Sequence, residues 1–174
     1  MPRIAFIVDD IFEDSEFQVP YDRVREAGHE AVIVGSSAGK EITGKNGTKI
    51  TADTGTSDIS ADDFDAVVIP GGYSPDKVRT DEKAVALTRK FHDDGKPVAA
   101  ICHAPWVLAE ADVLRDKRVT SWPSLRTDLV NAGAEWVDEE LVKDGNVITS
   151  RKPDDLPAFC DALLAELRAP AAVG

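Results

Sequence analysis

Two short runs constrain this chain most: Ala66–Ile69 (AVVI) and Val98–Ile101 (VAAI) contain no polar side chain. A strand without a polar face must be covered on both sides, as parallel strands are when helices flank their sheet. The start of the chain agrees. Arg3–Val8 (RIAFIV) is a β-rich apolar run. Ser15 reads as an N-cap before a helix that carries Phe17, Tyr21 and Val24 on one face and stops at Gly28. Pro20 falls inside it and is expected to kink or tighten its first turns. His29–Val34 (HEAVIV) is a second strand. Strand, helix and strand in this order make a right-handed βαβ unit and a parallel sheet.

The remainder continues the pattern. Helices are expected over Asp81–Asp94, Ala104–Ala109, Ser124–Ala132 and Leu156–Leu167, with Gly95 and Gly133 as stops. Val119-Thr120 and Val147–Ser150 read as strands. Lys40–Ala52 differs: two Ile/Thr runs flank Asn46-Gly47, a hairpin signal. The predicted class is α/β: a flavodoxin-like three-layer sandwich, its sheet mostly parallel, with helices on both faces and a small β-hairpin excursion. One domain over residues 1–168 is expected, with 169–174 as a frayed tail. In such sheets ligands bind beyond the carboxyl ends of the strands. That rule selects Asp9–Asp14, Gly71–Ser74 and Cys102-His103.

Composition narrows the partners. The net charge is −12, from 20 Lys+Arg against 32 Asp+Glu. It argues against nucleic acid and against an anionic membrane surface, since neither finds an excess of cations here. No apolar run approaches the ~18 residues of a membrane span, and MPRIAFIVDD does not read as a signal peptide. Two Cys do not make a disulfide framework. A cytoplasmic protein is expected. The acids are mostly Asp, often in doublets such as Asp62-Asp63. They read either as a solvated surface with caps and turns, or as an adaptation to high salt, where self-repulsion is screened.

Cys102 carries the most chemistry. A thiol at a strand end and a helix start meets backbone N–H groups and a positive dipole end, which favour thiolate. The placement is that of a nucleophile elbow, without the usual flanking glycines. The alternative is a buried Cys acting as a small hydrophobe, which is how Cys160 is read. His103 is the natural base or orienter, whereas His29 and His92 read as structural or solvated. No His follows His103, which disfavours a class I glutamine amidotransferase, whose base lies far downstream of its Cys. The Cys and His lack metal-ligand spacing, and no Gly-rich motif of the P-loop or dinucleotide type occurs, so neither metal nor cofactor is expected. Glu13, in DDIFEDSE, is a carboxyl able to share a proton with the thiol if the loop brings it there; the alternative is an exposed acid before a helix. Gly71-Gly72 permits close backbone approach and, with the His103 N–H, could form an oxyanion hole.

These residues carry a resemblance. FEDSE (12–16), EITGKNG (41–47), FDAVVIPGG (64–72), SPDKVR (74–79), GKPVAAICHAP (95–105), TSWPSLRTDLVNAGAEWVDEELVKDGN (120–146) and TSRKPDDLPAF (149–159) are collinear over nearly the whole length. The chain resembles the PfpI intracellular-protease family, in the superfamily of the parkinsonism-associated deglycase. The resemblance implies Cys102 as nucleophile, His103 as its partner and Glu13 as the acid that hydrogen-bonds the thiol. It implies Gly72 and His103 as oxyanion backbone positions. It also places Asp76, one methylene shorter than the family's acid, as an intersubunit triad member, and Trp122 in the pocket where a Tyr is common. A homo-oligomer is implied, either a dimer or a trimer of dimers. The implied activities are glyoxalase or deglycase chemistry on small carbonyl compounds, peptide hydrolysis, or a redox-sensing or chaperone-like stress role.

Overall fold

The computed structural model describes residues 1–168; the expected frayed tail, 169–174, lies outside the described residues. The elements are β1 (Arg3–Ile7), α1 (Asp14–Glu26), β2 (Glu30–Gly35), β3 (Glu41–Thr43), β4 (Lys49–Thr51), β5 (Thr54–Gly55), β6 (Ala66–Ile69), α2 (Ser74–Val78), α3 (Glu82–Asp93), β7 (Val98–Ile101), α4 (Pro105–Glu110), β8 (Arg118–Val119), α5 (Arg126–Asn131), β9 (Glu135–Trp136), β10 (Val142–Asp144), β11 (Val147–Ser150) and α6 (Leu156–Arg168). The main sheet has seven strands in the order β10-β11-β7-β6-β1-β2-β5. All its pairings are parallel except that of β10 with β11.

The apolar runs explain the layers. Along β1, β6 and β7 successive side chains point to opposite faces. Ile4, Phe6, Ala66, Val68, Ala99 and Ile101 join a core with Phe17 and Val24 of α1 and with Phe159 and Leu163 of α6. Their alternates Ala5, Ile7, Val67, Ile69, Val98 and Ala100 join a second core with Leu87 and Phe91 of α3, Leu108 of α4 and Leu129 of α5. Both faces of each central strand are therefore dry, and the three-layer α/β sandwich follows from the sequence pattern.

The hairpin also forms. Strands β3 and β4 pair antiparallel with Ile42 opposite Ile50, apart from the main sheet. Many acids serve as caps and turn anchors, as one of the two composition readings expects. Asp81 caps α3, while Asp53 and Asp65 accept from the backbone N–H groups of Ile33 and Arg3. Some boundaries differ. Helix α1 is capped by Glu13 rather than Ser15 and runs through Pro20. Ser124–Ala132 divides into a 3₁₀ turn over Pro123–Leu125 and the short α5. The short strand is Arg118–Val119, where Val119-Thr120 was expected. Helix α2 and strands β5, β9 and β10 are too short to leave a periodic signal. Among the described residues no helix is long and apolar enough to cross a membrane.

The chain leaves β1 for α1 on one face and reaches β6, on the other side of β1, before α3 on the opposite face. A crevice therefore opens at the carboxyl ends of β1 and β6, next to β7. Phe6 anchors the core beneath it, fully buried and edge-on to Phe17 and Tyr21. Phe6→Ala is expected to cost about 3–5 kcal/mol, measured as a lowered urea midpoint with unchanged m-value.

Candidate active site

Cys102 follows β7 directly and adopts φ +65°, a left-handed conformation that costs a non-glycine residue about 1–3 kcal/mol. Its backbone is held on both sides. Its N–H donates to Ser150 O at 3.0 Å, and its carbonyl accepts from Trp122 N–H at 2.9 Å. The backbone N–H groups of Gly72 and His103 lie near the sulfur and favour its ionised form. The three expected loops do meet. Phe12 bridges Gly72 in antiparallel fashion, and Glu13 N–H donates to Gly71 O at 3.1 Å. A Cβ on Gly71 would sit 2.7 Å from Cys102 Cβ and also strike Glu16, so only glycine lets the thiol and this loop approach so closely.

The carboxyl beside the thiol is Glu16, not Glu13. Glu16 is fully buried, and its Oε1 accepts from Gly71 N–H at 2.9 Å. Its Oε2 makes no hydrogen bond of good geometry; the Cys102 thiol is the adjacent group able to share a proton with it. Burial, reinforced by the Glu13 charge, pushes the Glu16 carboxyl up to about 8, so it remains protonated at neutral pH. Glu13 instead caps α1, its Oε2 accepting from both Ser15 N–H and Ser15 Oγ–H. It stands at the pocket wall, with Oε1 3.5 Å from Lys45 Nζ. The sequence did contain a signal for Glu16. Positions 16, 20 and 24 share one helical stripe, and Pro20 and Val24 are buried with Glu16. An acid on the buried stripe of an amphipathic helix requires a reason.

The thiol differs from its expectation as well. Burial, with the charge of an ionised Glu16, pushes Cys102 up to about 12, against the opposing pull of the Gly72 and His103 N–H groups. Helix α4 has only six residues, too few for the strong dipole invoked to lower this value. A protonated Glu16 exerts no repulsion, however, and its O–H can donate to the sulfur. Ionisation of Cys102 is therefore linked to the proton on Glu16. His103 Nδ1 lies 3.2 Å from the sulfur. Burial and the nearby Lys45 charge lower the imidazole pKa, so the ring is neutral at pH 7. Trp122 stacks on it with ring centroids 6.2 Å apart, and Trp106 lies tilted against it at 5.2 Å.

The thiol opens into a pocket of about 240 Å³ walled by Glu13, Lys45, Tyr73, His103, Trp122 and Pro153. Lys45 arrives on the β3–β4 hairpin, whose turn is tied down by Asp14. Its carboxylate accepts from Asn46 N–H at 3.0 Å and Thr48 N–H at 2.9 Å. Asp76 does not line this pocket. It is exposed on α2 and borders a separate groove with Asp9 and Lys40. Cys160 is sealed in the core, as its helix position suggests. A larger groove of about 550 Å³, lined by Arg3, Tyr21 and His29, lies at the amino ends of β1 and β2, away from the thiol.

Residues 2–166 match the DJ-1/PfpI family. A Bacillus subtilis (strain 168) protein named "Putative cysteine protease YraA" is 48% identical over 157 residues, covering 90% of this chain and 93% of that one. "Protein/nucleic acid deglycase 2" of Escherichia coli (strain K12) is 46% identical over 159 residues, covering 90% and 92%. The crystal structure of Drosophila melanogaster DJ-1beta superposes with a TM-score of 0.89 at 34% identity, covering 95% of this chain and 90% of that one.

A carboxyl that holds its proton more tightly when folded favours the native state most at low pH. For Glu16 that contribution is complete below its ordinary 4.5 and lost as pH rises through about 8. Across this window the group alone gives a slope of up to about −1.4 kcal/mol per pH unit. Glu16→Gln is expected to flatten the decline, read from urea denaturation at pH 5, 7 and 8.5.

Proposed function

Because the chain belongs to the DJ-1/PfpI family, we propose that it is a cysteine-dependent enzyme acting on reactive carbonyl compounds, as a glutathione-independent glyoxalase or deglycase. The observation that carries this reading is the convergence of Gly72 N–H, His103 N–H and the Glu16 carboxyl on one strained thiol. The pocket's size supports a small substrate, since drug-sized ligands occupy about 300–1,000 Å³ and this pocket offers about 240 Å³.

The mechanism follows from the proton inventory. The sulfur of Cys102 adds to the aldehyde carbon of methylglyoxal, and its proton is relayed through the protonated Glu16 to the aldehyde oxygen, giving a hemithioacetal and leaving Glu16 protonated. The Gly72 and His103 N–H groups stabilise charge as the addition proceeds. The neutral His103 removes the proton from the former aldehyde carbon. It returns that proton to the neighbouring ketone carbon, leaving a lactoyl thioester. Water cleaves the thioester to lactate and restores the thiol. Methylglyoxal plus water thus equals lactic acid, and no oxidant is consumed. In the deglycase variant the thiol attacks the same carbon of an amine adduct, and the amine departs. A neutral His103 suits this route, because a base must hold no proton before it removes one.

A second reading is an oligomeric cysteine peptidase. The exposure of Asp76 on α2 and the 3.2 Å Cys102–His103 pair favour it. Here a second copy would bring Asp76 to His103 and complete a triad between subunits. On both readings the protein is a cytoplasmic homo-oligomer.

Lactate formation from methylglyoxal tests the first reading. Cys102→Ala should abolish it, and Glu16→Gln should lower kcat by about 10²–10⁴-fold; equal rates for wild type and Cys102→Ala would end the proposal. Asp76→Ala should leave lactate formation intact, while on the peptidase reading it should abolish release of fluorophore from peptide amides.

A further inference from the structure

Among the described residues that line the Cys102 pocket, Lys45 alone carries a positive charge, in a chain whose net charge is −12. The fold invests in placing it. The β3–β4 hairpin stands apart from the main sheet. Its attachments converge on the tip: Asp14 holds Asn46 and Thr48, and Asp10 Oδ1 accepts from Thr43 N–H at 2.9 Å. Lys45 N–H itself donates to Phe12 O at 2.9 Å. A Cβ on Gly44 would strike the Asp14 carboxylate at 2.6–2.8 Å, so the residue before Lys45 must be small for the tip to dock. The ammonium is only partly satisfied. Its ion pair with Glu13 Oε1 is long at 3.5 Å, and the Lys45 side chain keeps 41% of its exposure. An ammonium has three donors, so this one partner leaves capacity facing the cavity. Glu13, by contrast, commits its Oε2 to Ser15.

We propose that Lys45 is a specificity-determining residue that selects carbonyl substrates bearing an anionic group, a carboxylate foremost, and that Glu13 sets its strength by competing for the same ammonium. The inference rests on Cys102 being the reacting atom. It names the class of compound that should react there best: small oxo acids, in preference to neutral dicarbonyls of similar size. Glu13 then acts against anions rather than in proton transfer, and the two wall residues pull substrate preference in opposite directions.

Iodoacetate and iodoacetamide test this without assuming any turnover. They are close in size, react with the same sulfur and differ in charge. The quantity to follow is the ratio of Cys102 alkylation rates, iodoacetate over iodoacetamide, from mass spectrometry of the Cys102 peptide. General misfolding moves both rates and largely cancels in the ratio. Lys45→Met should lower the ratio about fivefold, the scale of a partly exposed ion pair, and Lys45→Arg should preserve it. Glu13→Gln should raise it, and added salt should shrink the difference between wild type and Lys45→Met. A ratio unchanged in Lys45→Met, or moved the same way by Lys45→Met and Glu13→Gln, overturns the role of Lys45 and leaves the proposed function standing. A Cys102 no faster than free cysteine toward iodoacetamide overturns the proposed function and this inference together. A matching turnover comparison sets 4,5-dioxovalerate, which isomerisation and hydration convert to 2-hydroxyglutarate, against methylglyoxal. The carboxylate-bearing compound should show the higher kcat/KM in wild type, and Lys45→Met should erase that advantage.

Discussion

A carboxyl group and a thiol share a nearly waterless corner at the end of β7, and the surrounding chain is organised around that arrangement. Neither group ionises cheaply there, and two negative charges side by side would be worse than one. The protein therefore supplies hydrogen-bond donors: Gly71 N–H to Glu16, and Gly72 and His103 N–H to the sulfur. Those donors come from backbone, which obliges the loop to lie close and to be glycine. The strained φ of Cys102 has the same origin, since a relaxed turn would not aim its own following N–H at its own side chain.

On the proposed function, this arrangement reconciles a reactive role for Cys102 with a thiol pushed up to about 12. A thiolate waiting in solvent would be exposed to every oxidant that reached it. On the proposed function, the sulfur becomes nucleophilic as its own proton leaves through the neighbouring carboxyl toward the substrate oxygen. The neutrality of His103 belongs to the same logic: a second cation beside Lys45 would hold sulfur charge too firmly for addition to be reversible.

Much of this was legible in the residues, and the misses have physical causes. AVVI and VAAI fixed the two-faced sheet because no polar side chain offered an alternative. Cys102 and His103 stood out because strand ends in parallel sheets face the ligand side. Asn46-Gly47 marked the hairpin. The assignment of the acid went wrong by one helical turn. Glu13 and Glu16 flank the start of α1; the inward face of Phe17, Tyr21 and Val24 forms as expected, but Glu16, buried on the same side, was passed over. Lys45 left no signal of its own, since a lysine in a hairpin turn is ordinary until the turn is seen to dock on a pocket. The thiol's ionisation was misjudged because the sequence places Cys102 at a strand end but does not show how far its side chain is buried.

The hairpin has a further consequence. It contributes no strand to the main sheet and is fastened at its tip by side-chain carboxylates, so its outermost residues can change with little disturbance to either core. One wall of the cavity is in effect an exchangeable cassette set against the thiol and its buried carboxyl. Descendants of such a chain could reshape the cavity by rewriting a few turn positions, while the packing around Cys102 stays untouched.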